Sequence, residues 1–226
     1  MIFQDREEAG RQLGAKLHAY REHPAGVIVA LPRGGVAVGY EVSLALHLPL
    51  DVFITRKIGA PGNPEYALGA ISESGNLYLN PYAMEEFGLS ADELTELAAV
   101  QQKEIKRRQM LYRQGRHPLP LKDRTVIVVD DGIATGATFF ASVEAIRQQA
   151  PARLIAAIPV APPDTIRKAR TVVDELVVLA TPEPFWAVGN HYVHFAQVED
   201  REVLEYLNLA DKSLREWTER RHSSQA

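Results

Sequence analysis

The chain has no cysteine, which removes at once a disulfide framework, a thiolate nucleophile and a thiolate metal site, and suits a reducing compartment. No stretch approaches the run of about 18 apolar residues needed to span a bilayer. The N-terminal MIFQDREEAGRQLGAKL carries acidic residues where a signal peptide needs an apolar core. The chain therefore reads as cytoplasmic, with no membrane partner. A formal net charge of −4 gives no general attraction for polyanions, so nucleic acid is not an expected partner and any anion site has to be local. Internal repeats, a GK[ST] phosphate loop and a GxGxxG dinucleotide fingerprint are also missing. What is present is an ordinary globular composition, 46% hydrophobic and 24% charged over 226 residues, enough for one sizeable α/β domain.

The pattern along the chain supports that class. Asp5 and Glu8 have capping-box spacing, and Ala9, Leu13, Leu17 and Tyr20 recur at helical intervals, predicting an amphipathic helix that ends near EHPAG. Five short apolar runs follow: Gly26 to Leu31, Leu50 to Thr55, Thr125 to Asp130, Arg153 to Val160 and Asp174 to Ala180. Runs without polar alternation are buried on both faces, as central parallel strands are. Helical segments near 36–47, 137–149 and 164–170 separate them, which predicts a parallel sheet with right-handed crossovers and helices on both faces. The interval between the second and third runs is too long for a simple crossover. There YALGAI and NLYLN read as a hairpin around SESGN, and Ser90 with Glu93 opens a helix from Ala91 to Gln114 whose second half is basic. One domain, 1–226, with an inserted hairpin and helical cover over 73–122 and a C-terminal hood over 181–200, fits this pattern. A last helix spans about 200–220, and it and the helical cover offer surfaces for a homodimer.

The stretch VIVVDDGIATGAT, Val126 to Thr138, carries the most chemistry. It places Asp130 and Asp131 at the carboxyl end of a parallel strand, the edge where open α/β sheets bind ligands. The segment Ala134, Thr135, Gly136, Ala137, Thr138 then offers successive backbone N–H groups, two hydroxyls and a glycine at a helix start, a cradle for phosphate. Two carboxylates beside a phosphate cradle make sense when the ligand also has vicinal hydroxyls to donate to them, or brings Mg2+. A ribose phosphate meets both demands. ALPRGGVAVG places Arg33, Gly34 and Gly35 after another strand, where paired glycines let amides face an anion and the arginine can bind it bidentately.

The acidic pair followed after two residues by ATGAT resembles the phosphoribosyl pyrophosphate (PRPP) signature of type I phosphoribosyltransferases. The resemblance extends over nearly the whole chain, through LPRGG, RKIG, YALGAI, YR, VDDGIATGAT and the hood aromatics, to a little-characterised bacterial branch of predicted phosphoribosyltransferases. It implies the parallel-sheet fold of that family, with Asp130 and Asp131 holding ribose hydroxyls and Ala134 to Thr138 wrapping the 5′-phosphate. Arg33, Gly34 and Gly35 would form the pyrophosphate loop. Arg56 and Lys57 would precede a mobile lid, Gly59 to Gly69, with Lys57 meeting pyrophosphate. Lys57, Arg33 and Asp131 are the expected catalytic groups, Mg2+ the expected cofactor, and PRPP with a small nitrogenous acceptor the expected partners; which residues hold the metal stays open. Phe185, Trp186 and Tyr192 are expected to stack on the base, with Phe195 nearby, and His191 and His194 are acid–base candidates. Arg107, Arg108, Tyr112 and Arg113 on the basic helix could reach pyrophosphate from above.

Two features depart from the family pattern or withhold information. Gly132 stands where an aliphatic residue is commoner, which could loosen the turn. Ala134 stands where enzymes for 6-oxopurines carry an acid, which argues against hypoxanthine or guanine and leaves the acceptor unnamed. The expected activity is phosphoribosyl transfer; the alternative is a PRPP or nucleotide-binding regulator with little or no catalysis. A receiver-like Mg2+ domain is disfavoured, because its acidic pair would end the first strand.

Overall fold

The structure is a computed structural model and describes residues 2–79 and 81–223. In chain order its elements are α1 (Arg6–Lys16), β1 (Gly26–Ala30), α2 (Gly34–Leu46), β2 (Leu50–Val52), β3 (Thr55–Ala60), β4 (Asn63–Ser72), β5 (Leu77–Leu79), α3 (Pro81–Phe87), α4 (Ala91–Arg113), β6 (Thr125–Val129), α5 (Ala137–Arg147), β7 (Arg153–Val160), α6 (Pro163–Ala169), β8 (Glu175–Ala180) and α7 (Asp200–Ser223). A five-stranded parallel sheet has the order β2-β1-β6-β7-β8, and β3-β4-β5 form a separate antiparallel sheet.

The unbroken apolar runs are explained by cover on both faces. Along β1, β6 and β7, Ile28, Ala30, Ile127, Val129, Ile155 and Ala157 pack with α1, α2 and α7. The alternate residues Val27, Val29, Val126, Val128, Leu154, Ala156 and Ile158 pack with α5 and α6. Because successive side chains on a strand point to opposite faces, every position of these strands except Arg153 at the start of β7 is buried, and polar alternation has no place. Helix α1 lies close against α2 through its glycines: a Cβ on Gly10 would lie 2.7 Å from the Val38 carbonyl oxygen, and one on Gly14 2.6 Å from the Ala45 Cβ.

Three details differ from the sequence reading. The run Leu50–Thr55 is not one strand: β2 stops at Val52, residues 53–54 cross over, and Thr55 begins the second sheet. Second, Gly59 to Gly69 is no irregular lid, because β3 and β4 pair antiparallel from Thr55↔Ser72 to Ala60↔Asn63 around a tight turn with Gly62 at φ +75°. Glycine and proline content suggested a loop, but the buried alternation of Ile58 (1%) and Ala60 (3%) makes it a strand. Third, α3 has no counterpart in the sequence reading. The hairpin around SESGN and the capping box of α4 are present, Ser90 and Glu93 each bonding the other's backbone N–H; Asn80, the last residue of NLYLN, lies outside the described residues.

The crossing at residues 52–54 is fixed by a buried ion pair. Arg113 of α4 donates to Glu73 Oε1 at 2.7 Å and to the Val52 carbonyl at 2.9 Å. Glu73 in turn accepts from the Ile54 N–H at 3.1 Å and donates its own N–H to the Ile54 carbonyl at 2.7 Å. Burial raises the Glu73 carboxyl pKa and Arg113 opposes this. Arg113→Met should therefore cost about 3–5 kcal/mol in denaturant unfolding, since it strands a buried carboxylate, whereas Arg113→Met with Glu73→Leu should recover most of that loss.

Candidate active site

Two loops leave the sheet edge side by side. Ala30 and Val129 are register partners at the ends of β1 and β6, and the Leu31 N–H donates to the Val129 carbonyl at 2.9 Å. The segment Pro32–Gly35 therefore lies against the acidic turn that follows β6. Helix α2 begins at Gly34, two residues before the predicted start, with Arg33 as its N-cap. Glycine is a poor helix former, and the reason for two of them is contact. A Cβ on Gly34 would lie 1.9 Å from Asp131 Oδ2, and one on Gly35 would lie 2.8 Å from the Val129 carbonyl oxygen and 2.9 Å from Asp130 Cα. The glycines let a helix N-terminus come within contact distance of two carboxyls.

The carboxyls are electrostatically strained. Burial, followed by the charge of Asp131, pushes the Asp130 pKa well above the usual carboxylate range. Burial raises Asp131 as well, but Arg6 works against it. Asp130 Oδ1 accepts from the Asp131 N–H at 2.9 Å.

Arg6 is the group that the sequence reading missed. It sits at the first position of α1 and is 8% exposed. Its Nε donates to Asp131 Oδ2 at 2.8 Å, its Nη1 donates to the Ala196 carbonyl at 2.8 Å, and its guanidinium lies 3.9 Å over the Phe195 ring. One signal could have found it: a cation at a helix N-terminus opposes the helix dipole, so it asks for an anion elsewhere.

After the acidic pair the turn tightens into the cradle. Ile133 N–H donates to the Val160 carbonyl at 3.0 Å, and Thr165 donates to the Ala134 carbonyl at 2.7 Å. Gly136, at φ +85°, is the N-cap of α5 and supplies no side-chain cap, so the first N–H groups of the helix have no helical partner. Ala134 and Thr135 are exposed, Ala137 and Thr138 half-buried. Gly132 does not loosen this turn. A Cβ there would come 2.5 Å from Val188 Cγ1, so glycine is what lets the hood close onto it.

The hairpin root is docked to the cradle helix. Ser142 of α5 donates to the Thr138 carbonyl at 2.8 Å and is hydrogen-bonded at 2.8 Å to the Thr55 hydroxyl. Strand alternation then puts Lys57 on the Thr55 face and Arg56 on the opposite one, where its Nε donates to Gln101 of α4 at 3.1 Å. Burial and the nearby charges of Arg108 and Arg33 lower the Arg56 pKa. Arg33 itself faces Glu199 and Asp200 at 3.7 and 3.8 Å, ion-pair distances beyond hydrogen-bonding reach.

The basic helix is mostly committed to structure. Asp200 accepts from Arg107 Nη2 at 2.7 Å and from the Tyr112 hydroxyl. Tyr112 is fully buried, and Arg113 belongs to the hairpin crossing. Arg108 bonds Glu104 at 2.8 Å on the α4 face that meets Arg56.

The hood is irregular apart from a 3-10 turn at Val188–His191. It is tied to the N-terminal segment by Phe3 N–H to the His191 carbonyl and Val193 N–H to the Phe3 carbonyl, both 2.8 Å. Tyr192, expected to stack on a base, is instead 6% exposed between Phe3 and Phe195, and its hydroxyl donates to the Asp131 carbonyl at 2.6 Å. It packs the turn rather than offering an open face. Trp186 is 81% exposed, Phe185 stacks on His191 with ring centroids 5.0 Å apart, and His194 is exposed. Burial lowers the His191 pKa, which favours the neutral ring.

A parallel sheet with a paired-glycine loop and an acidic turn packed at one edge is the arrangement expected of a phosphoribosyltransferase. Residues 2–192 match the family model described as "Phosphoribosyl transferase domain", and the chain belongs to the type I phosphoribosyltransferase family. Two curated relatives from strains of Mycobacterium tuberculosis, each named "Putative phosphoribosyl transferase", are 41% identical over 215 residues, 95% of this chain. The chain spans about half the length of these curated relatives, 48% of each. The crystal structure of TT1426 from Thermus thermophilus is similar with a TM-score of 0.76 and 41% identity, over 92% of this chain and 98% of that one.

Two outcomes follow from the contacts. Gly35→Ala meets backbone that cannot swing aside and should cost about 1–3 kcal/mol in denaturant unfolding. Asp130→Asn should raise the thermal midpoint of the ligand-free protein at neutral and alkaline pH. The sign follows from proton binding: a carboxyl with a raised folded pKa loses stability as pH rises from its unfolded value through its folded one. The gain should therefore shrink as pH falls through that window, in a melting series across pH.

Proposed function

We propose that the chain catalyses Mg2+-dependent transfer of the phosphoribosyl group from PRPP to a nitrogenous base or other nitrogen acceptor, releasing pyrophosphate. The observation that carries this reading is the contact of Gly34 and Gly35 with the Asp130–Asp131 turn, which sets a helix N-terminus directly beside two carboxyls. Family membership supports the same reaction class.

In this reading the ribose hydroxyls donate to Asp130 and Asp131, offsetting the repulsion that burial imposes on them. The 5′-phosphate lies on the amides of Ala134 to Thr138, with the Thr135 and Thr138 hydroxyls as further donors. Breaking the bond from the anomeric carbon to pyrophosphate sends the electron pair to the leaving oxygen, and the acceptor nitrogen bonds the same carbon. Arg33, Lys57 and the Gly34 and Gly35 amides stabilise the leaving charge, which grows in the oxocarbenium-like transition state. Asp131 fixes the ribose while this happens. Phe185 and Trp186 cover the acceptor plane from the hood.

The residues present fit a divalent ion held mainly by substrate. Among the described residues no group of three or more His, Asp or Glu could cage a metal, and Mg2+ is ordinarily held by one or two carboxylates together with substrate phosphates. Asp130, which Arg6 does not pair, is the carboxylate suited to help hold it, and the ion would supply charge neutralisation for the leaving pyrophosphate.

The test is pyrophosphate release from PRPP and Mg2+ across a panel of nitrogen heterocycles and amines, with calorimetry of PRPP binding. Asp130→Ala with Asp131→Ala should abolish PRPP binding while leaving the circular dichroism spectrum unchanged. Binding that survives this change removes the acidic pair from the site. PRPP binding without turnover on any acceptor would assign the chain to the regulatory class instead.

A further inference from the structure

The two edges of the parallel sheet are finished differently. At one edge β2 is only three residues long, and its Asp51 accepts from the Leu119 N–H at 2.9 Å, which fastens the proline-bearing linker after α4 there. At the other edge β8 runs for six residues, ELVVLA, and among the described residues no strand pairs with its outer side. All six are half-buried, whereas the neighbouring β7 is buried from Leu154 to Val160. An open edge strand offers a row of free N–H and C=O groups to another chain, and proteins that keep such an edge solitary blunt it with lysine, proline or a bulge. β8 contains neither lysine nor proline, and its register along β7 does not shift. Its one charge, Glu175 at the first position, is already bonded to Tyr20 and Arg153.

The flanks of this edge are charged in a fixed order. Helix α1 packs on one face of the sheet and α6 on the other, and both run antiparallel to β8. Arg6 at the start of α1 meets Asp131 at the carboxyl end of the strands, while Tyr20, just past the helix, meets Glu175 where β8 begins. Helix α6 likewise starts beside the Ala134 carbonyl, through Thr165, and descends towards the beginning of β8. Each helix has acids in its first turn and bases in its last: Glu7 and Glu8 before Lys16, Asp164 before Arg167 and Lys168. That order suits each helix's own dipole, but the cations nearest the strand serve no acid within the chain. Lys16 on the α1 side and Arg170 on the α6 side line the groove along β8, both exposed and, among the described residues, neither ion-paired. Glu183, exposed and equally unpaired, follows the other end of the strand. The edge is positive where β8 begins and negative where it ends.

We propose that β8 pairs antiparallel with β8 of a second copy of this chain, joining two five-stranded sheets into one continuous sheet. An antiparallel match lays the positive end of one edge against the negative end of the other, twice over, whereas a parallel match sets like charges level. The pairing also covers Leu176 to Leu179, which a single chain leaves half-exposed. Its two-fold axis stands perpendicular to the sheet, so each face continues across the junction. Opposed residues on antiparallel strands point to the same face, which requires one residue of β8 to lie opposite itself, and the middle of the strand is Val177 and Val178. The contact closes on itself and uses neither α4 nor α7. It is independent of the reaction proposed above.

The experiment is sedimentation equilibrium of the full chain across the micromolar range, with amide hydrogen exchange read in parallel. Wild type should sediment as twice 25.1 kDa, and the β8 amides should exchange more slowly as concentration rises. Lys16→Glu with Arg170→Glu should raise the dimer dissociation constant about tenfold or more, and adding Glu183→Lys should restore part of the loss. Because the chain has no cysteine, single cysteines report the axis: under mild oxidation Val177→Cys or Val178→Cys should give a disulfide-linked dimer, and Leu209→Cys on the exposed face of α7 should not. A wild type that stays monomeric overturns the proposal. So does a dimer whose dissociation constant ignores the charge reversal, or whose β8 amides exchange at one rate at every concentration. Linkage through Leu209→Cys, with folded Val177→Cys and Val178→Cys both unlinked, overturns it as well. Should the cysteine variants in β8 not fold, the charge reversal and its rescue decide, since Lys16, Arg170 and Glu183 all lie at the surface.

Discussion

Two adjacent half-buried carboxyls at the end of β6 are served by one guanidinium, which pairs with Asp131 alone, and the rest of the site is arranged around that shortage of positive charge. Burying a carboxylate is costly unless it is paired and hydrogen-bonded, and here Arg6 pairs with Asp131 while among the described residues no cation is ion-paired with Asp130. The fold tolerates this because the pair is a small part of a sheet buried on both faces. The strain is local and directional: a ligand that donates hydroxyl protons, or brings a cation, relieves it. An acidic pair of this kind stores preference for its ligand in the ligand-free protein.

The placement of the remaining groups follows from topology. Parallel register brings the ends of β1 and β6 level, so the loop with Arg33 and the acidic turn need no long segments to meet. The hairpin is set by two anchors at its root, Thr55 on Ser142 and Glu73 on Arg113. One anchor joins it to the cradle helix and the other to α4. Lys57 therefore projects from a strand held at its base instead of from an irregular loop. Arg33 is held differently, by Glu199 and Asp200 at distances that permit attraction without hydrogen bonds. These partners orient Arg33 without satisfying its donors, which suits the proposed contact with a diphosphate.

The main sheet was legible because its strands are buried on both faces and its helices are not: unbroken Val and Ile runs alternate with amphipathic segments, and little else produces that pattern. The DDGIATGAT turn was legible for a related reason, since acids and hydroxyls at a strand end have few structural uses. The boundary at Val52 was hidden because the apolar run continues through the crossing into a second sheet, and apolarity does not record which sheet a residue joins. The hairpin was hidden by glycines and prolines that flank its turn. Arg6 was half legible: its spacing puts it on the helix face of the buried Ala9, Gly10 and Leu13, but its partner in the hood, Ala196, lies far along the chain. Tyr192 misled in the opposite direction, because clustered aromatics look the same whether they face a ligand or brace the backbone beneath it.

Gly132 shows how the variable part of the site is tied to its fixed part. An aliphatic residue, the commoner choice at this position, would put its Cβ into Val188. The hood could then not reach its present contacts, and neither Tyr192 with the Asp131 carbonyl nor Arg6 with Ala196 would keep its geometry. The substitution within the motif and the close approach of the hood are therefore one packing choice. Within that hood Phe185 stacks on His191 and Trp186 is exposed. The departure from the common pattern is thus tied to the hood, the segment proposed to meet the acceptor.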